Sequence, residues 1–327
     1  MVAERPWGFW TESKLHMLSD YLPAFMKACA TARNTVYLDL FAGQAENVGR
    51  DSDQRIEGSL LRALATDPPF TVVRGFELRA GRAASLQAAL RARHPDRDVV
   101  IHTGDVHDTL RPALQGLDAY RRSPTFAFID PDGVEARWEL LETLAAHKRQ
   151  SPTKVELFLL LPSAQIGRVV NDQLDPVQRA RAERLITDLF GSSAWRPILA
   201  GRRAGDLDPE TARDEFTNLM RWRLETALGY RFTHTLRMTN RGNSPMYDMI
   251  FATDHRAGDD IMKAVYSATA QRFPLMRQEA RARQQDRTDD ATGQSSLFTS
   301  VEIARNTPPH GIRLYQYTPP VSPYELP

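Results

Sequence analysis

Acidic side chains follow four successive apolar stretches of this sequence, at the point where each stretch ends. They are Asp39 in YLDLFAGQ, Glu77 in GFELR, Asp105 in TGDV and Asp130 in FAFIDPDG. If the stretches are parallel strands of one sheet, their carboxyl ends share one edge, which is where open α/β sheets bind ligands. The spacing therefore predicts a ligand site built largely from carboxylates.

Each of these acids has a role if the ligand contains adenosine. A carboxylate after the second strand accepts both ribose hydroxyl protons, which assigns Glu77 to the ribose. Asp105 is placed to accept from the adenine amino group, and Asp39 to lie near the cationic amino acid end of S-adenosylmethionine. We also predict cofactor contacts from Leu78, Val106 and Asp130. The alternative is structural, since acids also cap helices and end strands.

A glycine turn follows the first stretch, and its sequence distinguishes between two kinds of cofactor. Its predicted ligand contacts are Phe41, Ala42, Gly43 and Gln44. A dinucleotide pyrophosphate needs a third glycine and a helix N-terminus directly after the loop. Here Glu46 falls where a phosphate should sit, and the next helix is predicted only from about Gly58. S-adenosylmethionine has no phosphate, so the turn favours it, although Gly43 alone is also typical of a structural turn.

The turn after the fourth stretch reads Asp-Pro-Asp-Gly, residues 130–133. Asp130 and Asp132 are the candidate catalytic residues, because methyl transfer needs a nucleophile that is aligned and stripped of its proton. Methyltransferases of DNA bases place an aromatic ring in this turn to stack on a flipped base. This turn has no ring, so base methylation is not favoured, although Trp138 or Phe41 could replace it. A type I turn around proline is the structural alternative.

The stretches alternate with helical patterns, which predicts a doubly wound, mostly parallel α/β sheet. Parallel strands followed by one hairpin is also the order of elements in the class I methyltransferase-like Rossmann fold, an analogy that concerns fold and not function. The predicted strands span residues 35–40, 71–77, 98–102, 125–130 and 154–161, and the helices between them 58–65, 81–93 and 135–147. Two further strands, 230–239 and 246–254, are joined by turn residues and predict one antiparallel hairpin. A helix is predicted over 259–283.

The chain divides into three predicted parts. Residues 1–34 form an N-terminal helical segment, 35–285 the α/β domain with a helical insertion at about 171–228, and 286–327 a C-terminal arm without a core of its own. That arm could instead pack on the body through Leu297, Phe298, Ile303 and Tyr315. The polar segment 46–57 is predicted to be an inserted loop that acts as a lid.

Composition limits the other possibilities. The 42 basic and 41 acidic residues balance, so net charge gives no reason to expect nucleic-acid binding. The local exception is a basic cluster made of Arg277, Arg281, Arg283 and Arg287. The single cysteine, Cys29, excludes an intrachain disulfide and fits a cytoplasmic protein. The histidines lack metal-ligand spacing, so no metal is predicted, and no window is apolar enough to predict a membrane span.

A set of motifs in order along the chain resembles the three-Cys-motif partner family (TcmP). The motifs are YLDLFAGQ, IEGSLL, FELR, GDV, FAFIDPDG, LFGSSAW and YDMIFATDHRAGDDIM. The resemblance implies a class I S-adenosylmethionine-dependent methyltransferase that associates with a separate three-cysteine protein resembling radical S-adenosylmethionine enzymes. Two motifs depart from the family: Gln44-Ala45 replaces a Pro-Gly, and Asp132 replaces a phenylalanine.

These observations give three hypotheses. The first is a methyltransferase that acts on an unidentified acceptor and associates with the three-cysteine protein. The second is an accessory module that binds this partner without catalysis, and the departures at Gln44-Ala45 and Asp132 motivate it. The third and weakest is a nucleic-acid-modifying methyltransferase, which predicts salt-dependent binding to a polynucleotide.

Overall fold

The β-strands of the chain form one large sheet and one small one. The computed structural model describes residues 7–50, 54–148, 151–292, 299–307 and 314–326. The strands are β1 Val36–Asp39, β2 Glu46–Val48, β3 Arg55–Glu57, β4 Val72–Glu77, β5 Val99–Thr103, β6 Thr125–Ile129, β7 Glu156–Leu161, β8 Phe232–Thr239 and β9 Pro245–Thr253. Strands β2 and β3 pair with each other, and the other seven form the main sheet.

The main sheet has the strand order β5-β4-β1-β6-β7-β9-β8. Its first five strands are parallel, and β9 lies antiparallel between β7 and β8. Strand β1 pairs with β4 on one side and with β6 on the other, so the direction of winding reverses beside β1, where open sheets form their ligand crevice. The predicted doubly wound, class I methyltransferase-like sheet with one antiparallel hairpin is confirmed.

Helices cover both faces of this sheet. They are α1 Phe9–Ala28, α2 Ser59–Leu64, α3 Ala80–Arg93, α4 Val106–Gln115, α5 Trp138–His147, α6 Ser163–Val169, α7 Pro176–Phe190, α8 Trp195–Ala204, α9 Pro209–Thr226, α10 Arg256–Thr292 and α11 Ser300–Asn306. Apolar side chains of α4, α5 and α7 to α9 fill the core on one face, and those of α1, α2, α3 and α10 fill the core on the other. The parallel strands are apolar on both sides because both faces are covered.

Local signals explain where the inserted helices begin and end. Asp175 caps α7 through hydrogen bonds from the backbone N–H groups of Val177 and Gln178, and proline occupies the first helical position. Gly191 ends the same helix with a φ of +61°, a conformation that favours glycine. The helical insertion predicted at about 171–228 therefore consists of α7, α8 and α9.

The segment predicted as a polar loop at 46–57 contains the hairpin of β2 and β3, so that prediction is wrong for the residues described. Asp51 and Asp53 lie outside the described residues. The carboxylate of Glu46 forms ion pairs with Arg55, at 2.9 Å, and with Arg93. Glu46 therefore contributes to this hairpin and does not occupy a phosphate position beside the glycine turn.

The C-terminal part of the chain packs on the body. Helix α10 continues to Thr292, past the predicted end at Arg283. The Tyr315 hydroxyl lies 2.6 Å from Nδ1 of His234, which confirms the alternative that Tyr315 attaches the arm. Ile303 is 55% exposed and does not contribute. Leu297 and Phe298 lie outside the described residues.

The predicted basic cluster on α10 largely holds neighbouring chain segments. Arg277 donates to the side chains of Thr239 and Asn243, and Arg281 donates to the backbone oxygen of Arg241. These contacts fix the turn between β8 and β9 against the helix. Arg283 donates to the carboxylate of Glu279, and Arg287 donates to the backbone oxygen of Arg50, so all four guanidinium groups of the cluster are engaged within the chain. Within the described ranges, no helix is long and apolar enough to cross a membrane.

Candidate active site

A cavity of about 350 Å³ opens at the carboxyl ends of β1, β4, β5 and β6. Its walls bring together most of the residues that the sequence assigns to a cofactor. They are Phe41, Gly43, Glu77, Leu78, Asp105, Val106 and Asp130, and the candidate catalytic residue Asp132 lines the same cavity. We call this space the first cavity.

Glu77 is the buried carboxylate of the first cavity, with 8% of the residue exposed. It ends β4, and its Oε1 accepts a hydrogen bond of 2.8 Å from the backbone N–H of Arg79, which precedes α3. This hydrogen bond fixes the carboxylate of Glu77 at the carboxyl end of β4. The next residue, Leu78, is 65% exposed and adds an apolar surface to the same wall.

Asp105 has the structural role of a helix cap, and its position on the cavity wall leaves the predicted contact with adenine a prediction. It caps α4 by accepting from the backbone N–H of His107 at 2.9 Å, and it is exposed on the cavity wall. Gly104 precedes it with a φ of +121°, a conformation open mainly to glycine, so the chain can turn sharply from β5 into α4. Val106 is buried behind Asp105 and supplies apolar wall.

The glycine turn after β1 is held by a backbone contact to β4. The N–H of Ala42 donates to the carbonyl of Phe76 at 2.9 Å, and Gly43 has a φ of +63°. The chain then runs into β2 and not into a helix, and α2 begins only at Ser59. A dinucleotide phosphate would therefore find no helix N-terminus directly after this turn.

Asp39 lies beneath this turn and is fully buried, and the described walls of the cavities do not include it. Its Oδ2 is 3.4 Å from the Tyr37 hydroxyl, whereas Oδ1 has no hydrogen-bond partner within the described part of the chain. Burial raises the pKa of the Asp39 carboxyl to about 7, and the Ser59 hydroxyl acts in the opposite direction. The structure therefore does not support the predicted direct contact of Asp39 with a cofactor, because this carboxylate lies behind the cavity walls.

A second cavity, of about 380 Å³, adjoins the first. The two share Phe41, Gly43, Asp130 and Asp132. The other residues that line the second cavity include Trp7, Trp10, Lys14, Ala42, Gln44 and Tyr247. Ala42 and Gln44, assigned to the cofactor by the sequence, therefore face this second cavity.

The boundary between the cavities carries an ion pair. The Lys14 ammonium donates a hydrogen bond to Oδ2 of Asp130. Lys14 is only 6% exposed, so nearly all of its side chain is enclosed. Asp132 is exposed, and its backbone N–H donates to Oε1 of Glu135 at 2.9 Å. Of the two predicted catalytic residues, Asp130 is the better enclosed.

Sequence reasoning missed Lys14 and the contribution of α7. A signal for Lys14 existed, because it lies on the buried face of α1 with Leu15, Leu18 and Tyr21, where a charge is rarely tolerated without a partner. Leu185 and Asp188 of α7 line the first cavity, so the inserted helices close one side of it. Nothing in the sequence of α7 marks that contact, which depends on how the insertion packs.

Other candidates do not belong to the site. Trp138 is 3% exposed, and its ring lies 4.5 Å from the Arg223 guanidinium, so the prediction that it could stack on a base is wrong. Phe41 lines both cavities, so its ring is still a candidate stacking surface. Ser163 donates to the buried carboxylate of Asp248. Among the described residues, no group of three His, Cys, Asp or Glu side chains is arranged to hold a metal ion.

No protein-family model matches the chain, and no curated protein does. Among solved structures, TYW2 of M. jannaschii in complex with AdoMet is 9% identical over 77% of this chain and 78% of that chain, with a TM-score of 0.37. The Legionella pneumophila protein LPL1258 is 11% identical over 81% and 92%, with a TM-score of 0.42. The Bacillus cereus O-methyltransferase in complex with SAH is 16% identical over 72% and 79%, with a TM-score of 0.37. These values are too low to transfer a function, and membership of the three-Cys-motif partner family stays a prediction.

Proposed function

We propose that the protein is an S-adenosylmethionine-dependent methyltransferase. The observation that carries this proposal is the pair of adjoining cavities at the carboxyl edge of the parallel strands, which meet at Asp130. A methyl transfer between two molecules requires two such spaces, one for each substrate, with their reacting atoms brought together at the boundary.

The first cavity suits an adenosine. Glu77 offers a buried, fixed carboxylate to the two ribose hydroxyls, and Leu78 offers an apolar surface beside it. Asp105 lies one strand further out, where it can accept from the adenine amino group. The glycine turn and the unpartnered oxygen of Asp39 beneath it favour the cationic amino acid end. This assignment uses each acid that ends a strand on this side of the sheet.

The same residues disfavour a dinucleotide. Its pyrophosphate would lie against the turn at Gly43, where no helix begins and where the fully buried Asp39 lies below. A cationic sulfonium ligand is favoured by a carboxylate at this position, whereas a phosphate is repelled by it.

The chain's own residues align and enclose the reaction. The cofactor, when bound, supplies an electrophilic methyl group. Asp130 lies at the boundary of both cavities, so it can accept a hydrogen bond from the acceptor nucleophile and orient it. Phe41 and Gly43 form the rest of the shared wall and bring the two substrates into contact, and Leu185 of α7 closes the first cavity from outside.

Calorimetric titration of S-adenosylmethionine and S-adenosylhomocysteine into the purified chain tests the proposal. We expect saturable binding of both, weakened at least tenfold in Glu77→Gln, because the amide keeps one acceptor oxygen and replaces the other with an NH2 donor. Glu210→Gln, at the exposed start of α9, is the matched control and should bind like the unmodified chain. A folded protein that binds neither compound would contradict the proposal.

Association with a three-cysteine protein is a further part of the proposal, and the motif resemblance supports it. Co-purification with a tagged three-cysteine protein encoded beside this chain would test it. If the complex forms and the chain binds no S-adenosylmethionine, the accessory-module hypothesis replaces the enzyme hypothesis. Residence in the cytoplasm stays a prediction.

A further inference from the structure

We propose that the acceptor is a phenol, a hydroxyl group on an aromatic ring, which is methylated on its oxygen. This inference rests on the proposed methyltransferase function and names the substrate class of the second cavity. Two features of that cavity carry it: the Lys14–Asp130 pair at its inner end and the aromatic side chains along its walls.

The pair presents one donor and one acceptor side by side at the boundary between the cavities. The ammonium of Lys14 can only donate hydrogen bonds, and an ionised Asp130 carboxylate can only accept them. A hydroxyl group satisfies both at once, since its O–H donates to Asp130 while its oxygen accepts from Lys14. Both side chains already line the second cavity and are hydrogen-bonded to each other, so the arrangement exists before a ligand enters.

Other nucleophiles match this arrangement less well. An aromatic amine donates to Asp130, but its lone pair is a weak acceptor for Lys14. A carboxylate accepts from Lys14 and is repelled by Asp130. A thiol is a weak donor and a weak acceptor for both. Of the common methyl acceptors, a hydroxyl group therefore uses both members of the pair fully.

The walls select an aromatic hydroxyl. Five aromatic side chains line the second cavity: Trp7, Trp10, Phe41, Phe128 and Tyr247. The positions of two of them are fixed by contacts, since the Tyr247 hydroxyl donates to the carbonyl of Trp10 at 3.1 Å and the Arg50 guanidinium lies 5.4 Å from the Trp10 ring. Rings that are held in place give a planar ligand a large apolar contact area. A volume of about 380 Å³ is at the small end of ligand sites and suits a compact ring system.

The proposed transfer conserves atoms and electrons and uses only the two substrates, Lys14 and Asp130. The phenol oxygen forms a bond to the methyl carbon, and the carbon–sulfur bond of the sulfonium breaks with its electron pair going to sulfur. The phenol proton passes to the Asp130 carboxylate and from there to solvent. Lys14 donates to the oxygen throughout, which stabilises the negative charge that develops as the proton leaves.

The test uses 4-nitrophenol, whose phenolate absorbs visible light, with 4-nitroaniline as the ring-matched amine. Each is titrated into the full chain saturated with S-adenosylhomocysteine, at a pH where the free phenol is partly ionised. We expect 4-nitrophenol to bind with a change in its phenolate absorption, because its oxygen then contacts Lys14 and Asp130, and 4-nitroaniline to bind at least tenfold more weakly. With S-adenosylmethionine in place of the product, slow loss of phenolate absorption reports methylation.

Lys14→Met and Lys14→Gln should abolish the phenolate signal, whereas Lys27→Met, on the exposed face of the same helix, should leave it unchanged. Two Lys14 variants are made in case one of them does not fold. Circular dichroism checks the folding of each, and one folded variant is enough for the test. Absence of 4-nitrophenol binding, equal binding of the aniline, or a signal that survives in a folded Lys14 variant would overturn the inference. If S-adenosylhomocysteine itself fails to bind, the proposed function fails, and this inference fails with it.

Discussion

Lys14 on the first helix donates a hydrogen bond to Asp130 at the end of β6, although 116 residues separate them in the sequence. The lysine is almost fully enclosed, so its charge depends on this carboxylate for compensation. The N-terminal helix is thereby attached to the carboxyl edge of the sheet by a charged contact as well as by its apolar face.

This relationship predicts a measurable coupling between the two side chains. Lys14→Met should lower the free energy of unfolding by about 1–3 kcal/mol, because it leaves Asp130 without its ionic partner. Adding Asp130→Asn to Lys14→Met should restore part of that loss. Urea unfolding of both single variants and the double variant measures the coupling, and strictly additive effects would show that the contact does not stabilise the fold.

The buried Asp39 predicts a pH dependence of stability. Its folded pKa of about 7 lies above the ordinary value of 3.8, so its protonated form is favoured in the folded chain and stability is lost as the pH rises through this interval. Relative to the unmodified chain, Asp39→Asn should gain about 2–4 kcal/mol between pH 4 and pH 8. Denaturant unfolding of both proteins at several pH values measures the difference, and a constant difference would contradict the assignment.

The same carboxyl predicts a proton linked to cofactor binding. A cation bound above Asp39 favours the ionised form, so S-adenosylmethionine should release a proton near neutral pH and bind about three- to tenfold more tightly at pH 8 than at pH 6. Calorimetry in two buffers of different ionisation enthalpy measures the released proton. Asp39→Asn should remove both effects, and their persistence in that variant would assign them to another group.

A single methyl group added at Gly191, at the end of α7, should strongly lower the stability of the chain. A Cβ at this position would lie 2.3 Å from two atoms of the buried Trp138 ring, and φ is +61°. Gly191→Ala should therefore destabilise the chain by about 3 kcal/mol or more, combining backbone strain with overpacking.

Gly205 provides the matched control for this prediction. It ends α8 with a φ of +89°, and a Cβ added there would meet no other side chain or backbone segment of the described residues within 4 Å. Gly205→Ala should cost only about 1–2 kcal/mol, from the backbone alone. Similar thermal unfolding temperatures for the two variants would mean that Trp138 moves aside without loss of stability.

Arg221 of α9 attaches the C-terminal segment to the rest of the chain. Its guanidinium donates to the carbonyls of Thr233 at 2.7 Å and Thr318 at 2.6 Å, and the side chain is buried. Arg221→Met should release the segment, because the carbonyl of Thr318 loses its donor. Chymotrypsin should then cleave after Tyr317 at least tenfold faster. Arg168→Met, at an exposed position of α6, should digest like the unmodified chain.

The strand-end acids could be predicted from sequence because each follows its own strand directly. Glu77, Asp105 and Asp130 reach the cavity wall through local backbone geometry, which a sequence pattern records. Lys14 and Tyr247 could not be placed in this way, since their positions depend on α1 packing against β9 across most of the chain. The sequence correctly places Asp39 at the carboxyl edge of the sheet but does not predict that its side chain is buried. The alternation of side chains along a strand does not show how the following turn covers this carboxylate.

The α1 helix has a further consequence for the order of assembly. It supplies Lys14 and Trp10 to the second cavity, yet β9, which supplies Met246 and Tyr247 to the same cavity, comes more than 200 residues later in the chain. A ribosome would release the first helix long before β9 exists, so the second cavity cannot form during synthesis of the first half of the chain. The wall of the first cavity, built from residues 40–137 with only Leu185 and Asp188 added later, can be nearly complete much earlier. The two cavities would thus become complete at different stages of synthesis.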